Sequence, residues 1–192
     1  MKETKNILLV GVGGQGTILV SKILSTGLMD AGYDVKMSEI HGMAQRGGSV
    51  STQVRYGENI SSPIIGKGQA DILVSFEKME AIRWLEFLKP DGVCVVNDYE
   101  IPSAPVLSGK ADYPQGVLDI LKEKVHTKVL NAANISADLG NVKVMNVVLL
   151  GALAKMMDLT DIDWDKAIKG SVKENFAELN VKAFNAGMEA VS

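Results

Sequence analysis

The spacing of apolar and polar positions divides this chain into strand-like and helix-like stretches. Residues 7–10, Ile-Leu-Leu-Val, form a short unbroken apolar run ending on Gly11, the pattern of a buried strand. Residues 18–29 carry apolar side chains at helical spacing, and Gly32 breaks that pattern before residues 33–39 alternate as a half-buried strand does. These three stretches predict a β-α-β unit. Residues 49–56 alternate strictly, with Val50, Thr52, Val54 and Tyr56 on one face. Ser51, Gln53 and Arg55 form the other, expected to meet solvent or a partner. The connection from the second strand is too short for a helical crossover, so an antiparallel pairing is expected.

Further along, residues 70–76 read as another buried strand. Residues 77–88 read as an amphipathic helix with Met79, Ile82, Leu85 and Leu88 on its buried face, stopped by a Pro90 turn at residues 89–92. A strand at 92–96 carries Cys94, and three prolines between residues 101 and 116 predict an extended loop without a helix of its own. A short helix at 118–125 and a short strand at 128–131 precede a helical C-terminus. There, residues 144–157 are apolar on nearly all sides, fewer than the ~20 a bilayer span needs, and must be covered by the core or by a partner. Asp163 is placed to cap a helix, and Phe176, Leu179, Ala183 and Ala186 mark a stripe on the last one. The prediction is an α/β, Rossmann-like three-layer domain spanning residues 1–192. Its sheet is mostly parallel, with at least one antiparallel strand, and its C-terminus is helical.

Composition narrows the chemistry. Apolar residues make up 46% and charged residues 22%, the balance of a soluble globular protein. A net charge of −3 gives no basis for general nucleic-acid or anionic-membrane binding. Cys94 is the only cysteine, so no intrachain disulfide and no four-thiolate cluster can form within the chain, and its valine neighbours suggest a protonated core thiol. Neither histidine, His41 nor His126, lies in a metal-ligand spacing. The first six residues run directly into the first strand, leaving no room for a secretory signal, so a cytoplasmic protein is expected.

Two stretches carry candidate chemistry. Gly11, Gly13 and Gly16 complete a G-x-G-x-x-G spacing between the first strand and helix, where backbone N–H groups and a helix dipole favour an anion. Gly14, Gln15 and Thr17 belong to the same candidate site. Glu39 lies 23 positions beyond Gly16, near the ~20 at which a dinucleotide fold holds a ribose, though a solvated strand-end carboxylate has the same spacing. The second stretch, His41-Gly42-Met43-Ala44-Gln45-Arg46-Gly47-Gly48, follows a predicted strand, where α/β proteins build crevices. Arg46 offers a bidentate fork to a carboxylate, phosphate or partner acid, and Gln45, Gly47 and Gly48 complete the loop. His41 is a candidate proton-transfer group, although a lone loop histidine more often serves as a structural hydrogen-bonding residue.

The glycine stretch Gly11-Val12-Gly13-Gly14-Gln15-Gly16, followed by the His41 to Gly48 residues and Ser49-Val50, closely resembles the gamma-type subunit or domain of 2-oxoacid:ferredoxin oxidoreductases. It is most similar to the small beta subunit of the indolepyruvate type. The glycine motif alone discriminates poorly, whereas its combination with the second loop at this distance is specific, and the likeness covers nearly the whole chain. The resemblance implies a complex that oxidatively decarboxylates a 2-oxo acid to an acyl-CoA and passes electrons through iron–sulfur clusters to ferredoxin. One cysteine and the lack of a thiamine-binding motif assign the thiamine diphosphate, magnesium and clusters to a larger partner subunit, with no cofactor held by this chain alone. The chain would complete the active-site cleft and contact the 2-oxo acid or coenzyme A, with a homodimer as one form to be expected in isolation. Two other classes remain: a stand-alone NAD(P) dehydrogenase using Glu39, and a non-catalytic glycine-loop binding module.

Overall fold

The computed structural model describes residues 3–41 and 47–192. Its first strand, β1 (Lys5–Val12), leads through the glycine turn into α1 (Thr17–Asp30), followed by β2 (Asp34–His41) and β3 (Ser49–Gly57). Then come β4 (Ala70–Ser75), α2 (Lys78–Trp84), β5 (Leu88–Asn97), the single turn α3 (Ala104–Leu107), α4 (Val117–Lys124) and β6 (His126–Leu130). The chain closes with α5 (Ala132–Asp138), α6 (Met145–Met156), α7 (Trp164–Lys169) and α8 (Glu174–Glu189).

The six strands form one sheet in the order β2-β3-β1-β4-β5-β6, with β1, β4, β5 and β6 joined in parallel. The expected antiparallel strand is β3, which pairs antiparallel with both β1 and β2 and lies between them. Along β1, Ile7 and Leu9 face one core with α1 and α6, while Leu8 and Val10 face a second core with α2 and α4. The strand is therefore buried on both faces, as its unbroken apolar run required.

The structure corrects five local expectations. The polar face of β3 is largely buried within the chain, with Ser51 and Gln53 buried and Arg55 half-buried, and residues 60–66 fold over Gln53 and Arg55. Gln53 Oε1 accepts from Ile65 N at 2.6 Å, and Arg55 Nη1 donates to Ser62 O at 2.9 Å. The helix at 77–88 ends at Trp84, followed by a 3₁₀ turn, and it buries Glu80 and Ala81 while Ile82 is exposed. Pro90 is no stop between elements: β5 already begins at Leu88, and a register shift against β4 absorbs the proline. The proline-rich segment does contain a helical turn, α3, with Pro105 at its start, where a missing N–H costs nothing. Finally, α8 buries Ala177, Asn180, Val181, Ala183, Phe184 and Gly187, a face rotated from the expected stripe and leaving Phe176 exposed.

The apolar helix α6 is covered by the chain itself, with residues Asn146 to Ala154 all buried. Glycine makes its packing against α8 possible, since Gly151 and Gly187 each bring their helix against the other's backbone. Asp163 caps α7 as expected, its Oδ1 accepting from Lys166 N at 3.0 Å. Among the described residues no helix is long and apolar enough to cross a membrane.

Cys94 lies at 0% exposure within β5, and burial pushes its thiol up to about 12 from an ordinary 9.0. At pH 8 such a thiol holds about a thousandfold less thiolate than an exposed one. The native chain is therefore expected to leave a disulfide reagent unreacted at pH 8 while the denatured chain consumes one equivalent within minutes. Rapid native labelling would contradict the burial.

Candidate functional site

The connection after β1 runs to β2 on one side, while β4 joins β1 on the other. The ends of β1 and β4 thus mark the switch point where open α/β sheets hold ligands. A cleft of about 610 Å³ opens there. Gly13, Gly14, Gln15 and Gly16 form one wall, Tyr99 and Ile101 beyond β5 a second, and Val142, Lys143, Met145 and Asn146 at the start of α6 a third.

Side-chain amides hold the glycine turn in shape. Gln15 Oε1 accepts from Val12 N and its Nε2 donates to Phe76 O, both at 2.8 Å, so this side chain clamps the turn onto β4. Gly11 leaves room for the clamp, since an added Cβ would lie 2.8 Å from Gln15 Oε1 and 3.0 Å from Phe76 Cβ. Gly14 and Gly16 adopt positive φ, 104° and 79°, the left-handed region that favours glycine. Asn146 Nδ2 donates to Gly16 O at 3.2 Å, binding the turn to α6. Asn97, fully buried, donates to Phe76 O at 3.2 Å and accepts from Ala132 N at 3.0 Å, which fixes the end of β5 beside the clamp.

Among the described residues α1 has no side-chain N-cap and no acid in its first turn, so the positive end of its dipole faces the cleft without a local carboxylate. Lys143 is the one charged residue in the described lining. The arrangement provides amides, a dipole and one ammonium for an anion, with apolar surface from Ile101, Val142 and Met145 beside it.

The sequence-predicted residues separate accordingly. Gly13, Gly14, Gln15, Gly16 and Gly47 line the cleft, whereas Gly11 and the buried Thr17 lie behind the lining. Gly13 N donates to Gly48 O at 2.8 Å, tying the far end of the second loop to the glycine turn. His41 ends β2 opposite Val50; Gln45 and Arg46 lie outside the described residues. Glu39 is separated from β1 by the inserted β3, two ladder spacings or roughly 10 Å away, and accepts from Ser21 Oγ at 2.7 Å. The adjacency to β1 that a dinucleotide-binding acid uses is absent from this topology. Tyr99, Ile101, Val142, Lys143 and Met145 carried no signal in the sequence; for Asn146 the available signal is its amide within the otherwise apolar run at 144–154.

A family model described as pyruvate ferredoxin/flavodoxin oxidoreductase matches residues 6–190, a span that includes the cleft, both loops and the C-terminal helices. The chain belongs to this oxidoreductase family. Along 196 aligned residues it is 37% identical to the indolepyruvate oxidoreductase subunit IorB of Pyrococcus horikoshii, covering 99% of this chain and 96% of that one. Among solved structures it is similar to the gamma subunit of a keto/oxoacid ferredoxin oxidoreductase from Geobacter sulfurreducens. That match has 26% identity and a TM-score of 0.71, covering 97% and 98% of the two chains. A 2-oxoglutarate:ferredoxin oxidoreductase from Magnetococcus marinus, solved with 2-oxoglutarate, coenzyme A and succinyl-CoA bound, shares the fold at 18% identity and a TM-score of 0.75. There, the whole of this chain corresponds to 31% of a longer one. Within the oxidoreductase family, then, this is a gamma-type subunit chain.

The described residues of this oxidoreductase subunit do not fit an iron–sulfur cluster or a bound metal ion. An iron–sulfur cluster needs several accessible thiolates, and the single thiol is buried and protonated. Among the described residues no group of three His, Cys, Asp or Glu side chains is arranged to hold a metal ion.

Proposed function

We propose that this chain is the small subunit of an indolepyruvate or other arylpyruvate ferredoxin oxidoreductase, working in the cytoplasm against a larger subunit that carries the thiamine diphosphate, magnesium and iron–sulfur clusters. Its own contribution is to complete the active-site cleft and to hold the anionic part of coenzyme A, the acyl acceptor. The aryl substrate is suggested by the name of the Pyrococcus relative, and the coenzyme by the contents of the Magnetococcus structure.

The observation that carries this reading is the cleft's chemistry: oriented amides, the N-terminus of α1 and Lys143 converge beside apolar surface, with no thiolate in the described lining. Such a site binds and orients an anion without transferring electrons. Lys143 supplies attraction, the glycine turn supplies directional N–H donors, and the apolar side chains exclude water from the neighbouring thioester-forming region.

Purification of the tagged chain from its native cell is expected to bring down a brown, thiamine-dependent large subunit. The pair is then expected to reduce ferredoxin with indolepyruvate and CoA. Lys143→Ala should raise the KM for CoA about tenfold, the effect of one charge-assisted contact, with kcat little changed. Micromolar NAD affinity in calorimetry, or a clean monomer without such a companion, would overturn the proposal.

A further inference from the structure

The glycine turn and the Tyr99–Ile101 wall face each other across the cleft, and they are connected through three consecutive residues, Phe76, Glu77 and Lys78. The Phe76 carbonyl accepts from Gln15 Nε2 on one side and Asn97 Nδ2 on the other. Lys78 N donates to Tyr99 O at 3.0 Å, and its Nζ lies 2.5 Å from Glu100 Oε1 and 3.2 Å from Asp98 Oδ1. Glu77 sits between them at 1% exposure. Its Oε2 accepts from Glu80 N at 3.0 Å, while Oε1 accepts from Ile101 N at 3.4 Å and from the Tyr113 hydroxyl.

An acidic side chain buried this deeply needs partners, and three donors supply them. Two of the three come from residues 98–113, a segment that leaves the sheet after β5 and otherwise contains only the one-turn α3. Burial, followed by the bond to Glu77, holds the Tyr113 phenol well above its ordinary range, so it remains a donor at all physiological pH. The segment is exposed over most of residues 104–112, so its position relative to the glycine turn depends on these few polar ties.

We infer that Glu77 and Tyr113 are positioning residues for the cleft: their buried hydrogen bond straps residues 98–113 to the start of α2 and sets the distance between the Tyr99–Ile101 wall and the glycine turn. This deepens the proposed function, because a ligand held between the two walls feels any slack in the strap. Neither residue touches the ligand; each acts through Ile101 and Tyr99.

The test uses the assembled two-subunit enzyme with Tyr113→Phe, which removes only the hydroxyl, and Glu77→Gln, which cannot accept from all three donors. Each is expected to raise the KM for CoA about fivefold while kcat and the KM for the 2-oxo acid stay within about twofold. The double variant is expected to fall short of the product of the two single effects, because both substitutions weaken the same strap. Hydrogen exchange in residues 98–113 should accelerate about tenfold in each variant, with the exchange of β1 and β4 unchanged. A CoA KM within twofold of the parent for Tyr113→Phe, or a fall in kcat at constant KM, overturns the inference. If the parent enzyme does not saturate with CoA, the proposed function fails instead, and the exchange data still decide the strap. Faster exchange throughout the chain would mean a general loss of folding and would also count against it.

Discussion

Replacing Gly187 with alanine is expected to lower the chain's melting temperature by roughly 6–12 °C, the shift for about 3 kcal/mol in a protein of this size. An added Cβ would fall far inside van der Waals contact distance of the Val148 carbonyl oxygen, with the carbonyl carbon at 2.8 Å and Val148 Cα at 3.1 Å. No rotamer change relieves this contact, because both partners are helix backbone. The helices must move apart, and α6 is buried along nearly its whole length. Gly151→Ala meets the same obstacle from the other side, against the carbonyl of Phe184. Once one methyl has separated the helices the second costs less, so the double variant should be less destabilised than the sum of the singles. Thermal denaturation followed by circular dichroism decides the matter; a shift below about 2 °C would mean that α8 has room to yield. Because Met145 and Asn146 open α6, the displacement is also expected to distort one wall of the cleft.

Gly16→Ala is expected to have the second large effect, on ligand affinity more than on stability. At φ 79° and ψ 28° a side chain costs about 1–2 kcal/mol, and the added Cβ would lie 2.5 Å from Asn146 Nδ2. Either the Asn146 side chain gives way and loses its hydrogen bond to Gly16 O, or the turn relaxes out of its left-handed backbone, and both disturb this wall of the cleft. In the assembled enzyme the KM for CoA should rise about tenfold, the effect of a lost charge-assisted contact. Adding Asn146→Ala removes the colliding amide but not the backbone strain, so it should restore part of the affinity, and the two substitutions should not be additive. An unchanged KM in Gly16→Ala would mean that the glycine turn does not hold the ligand.

Much of this architecture was legible in the residue pattern. The buried strands at β1 and β4, the first helix, the antiparallel β3 and the apolar α6 all followed from local periodicity and from a connection too short for a crossover. The glycine motif marked one wall of the cleft. Errors arose where a neighbour distant in the chain changed the meaning of a local pattern. The alternation in β3 suggested an open polar face until residues 60–66 covered it with hydrogen bonds to Gln53 and Arg55. Met79 and Ile82 suggested the buried face of α2, yet Glu80 and Ala81 are its buried residues, and Glu80 Oε2 accepts from Ser49 Oγ at 2.5 Å. Glu39 had the spacing of a ribose ligand, and the insertion of β3 moved it away from β1.

Hydrophobic period, glycine positions and the solitary cysteine are properties of short stretches, and they suffice to specify strands, helices, the anion-favouring turn and the lack of cluster ligands. The cleft is of another kind. Gly16 and Asn146 meet across 130 positions of sequence, and Glu77 reaches Tyr113 across 36. Such contacts depend on the order in which strands join the sheet and on which helix crosses which face. Those choices are made by packing the whole core at once, where two glycines bring α6 and α8 together and carry Asn146 to the turn.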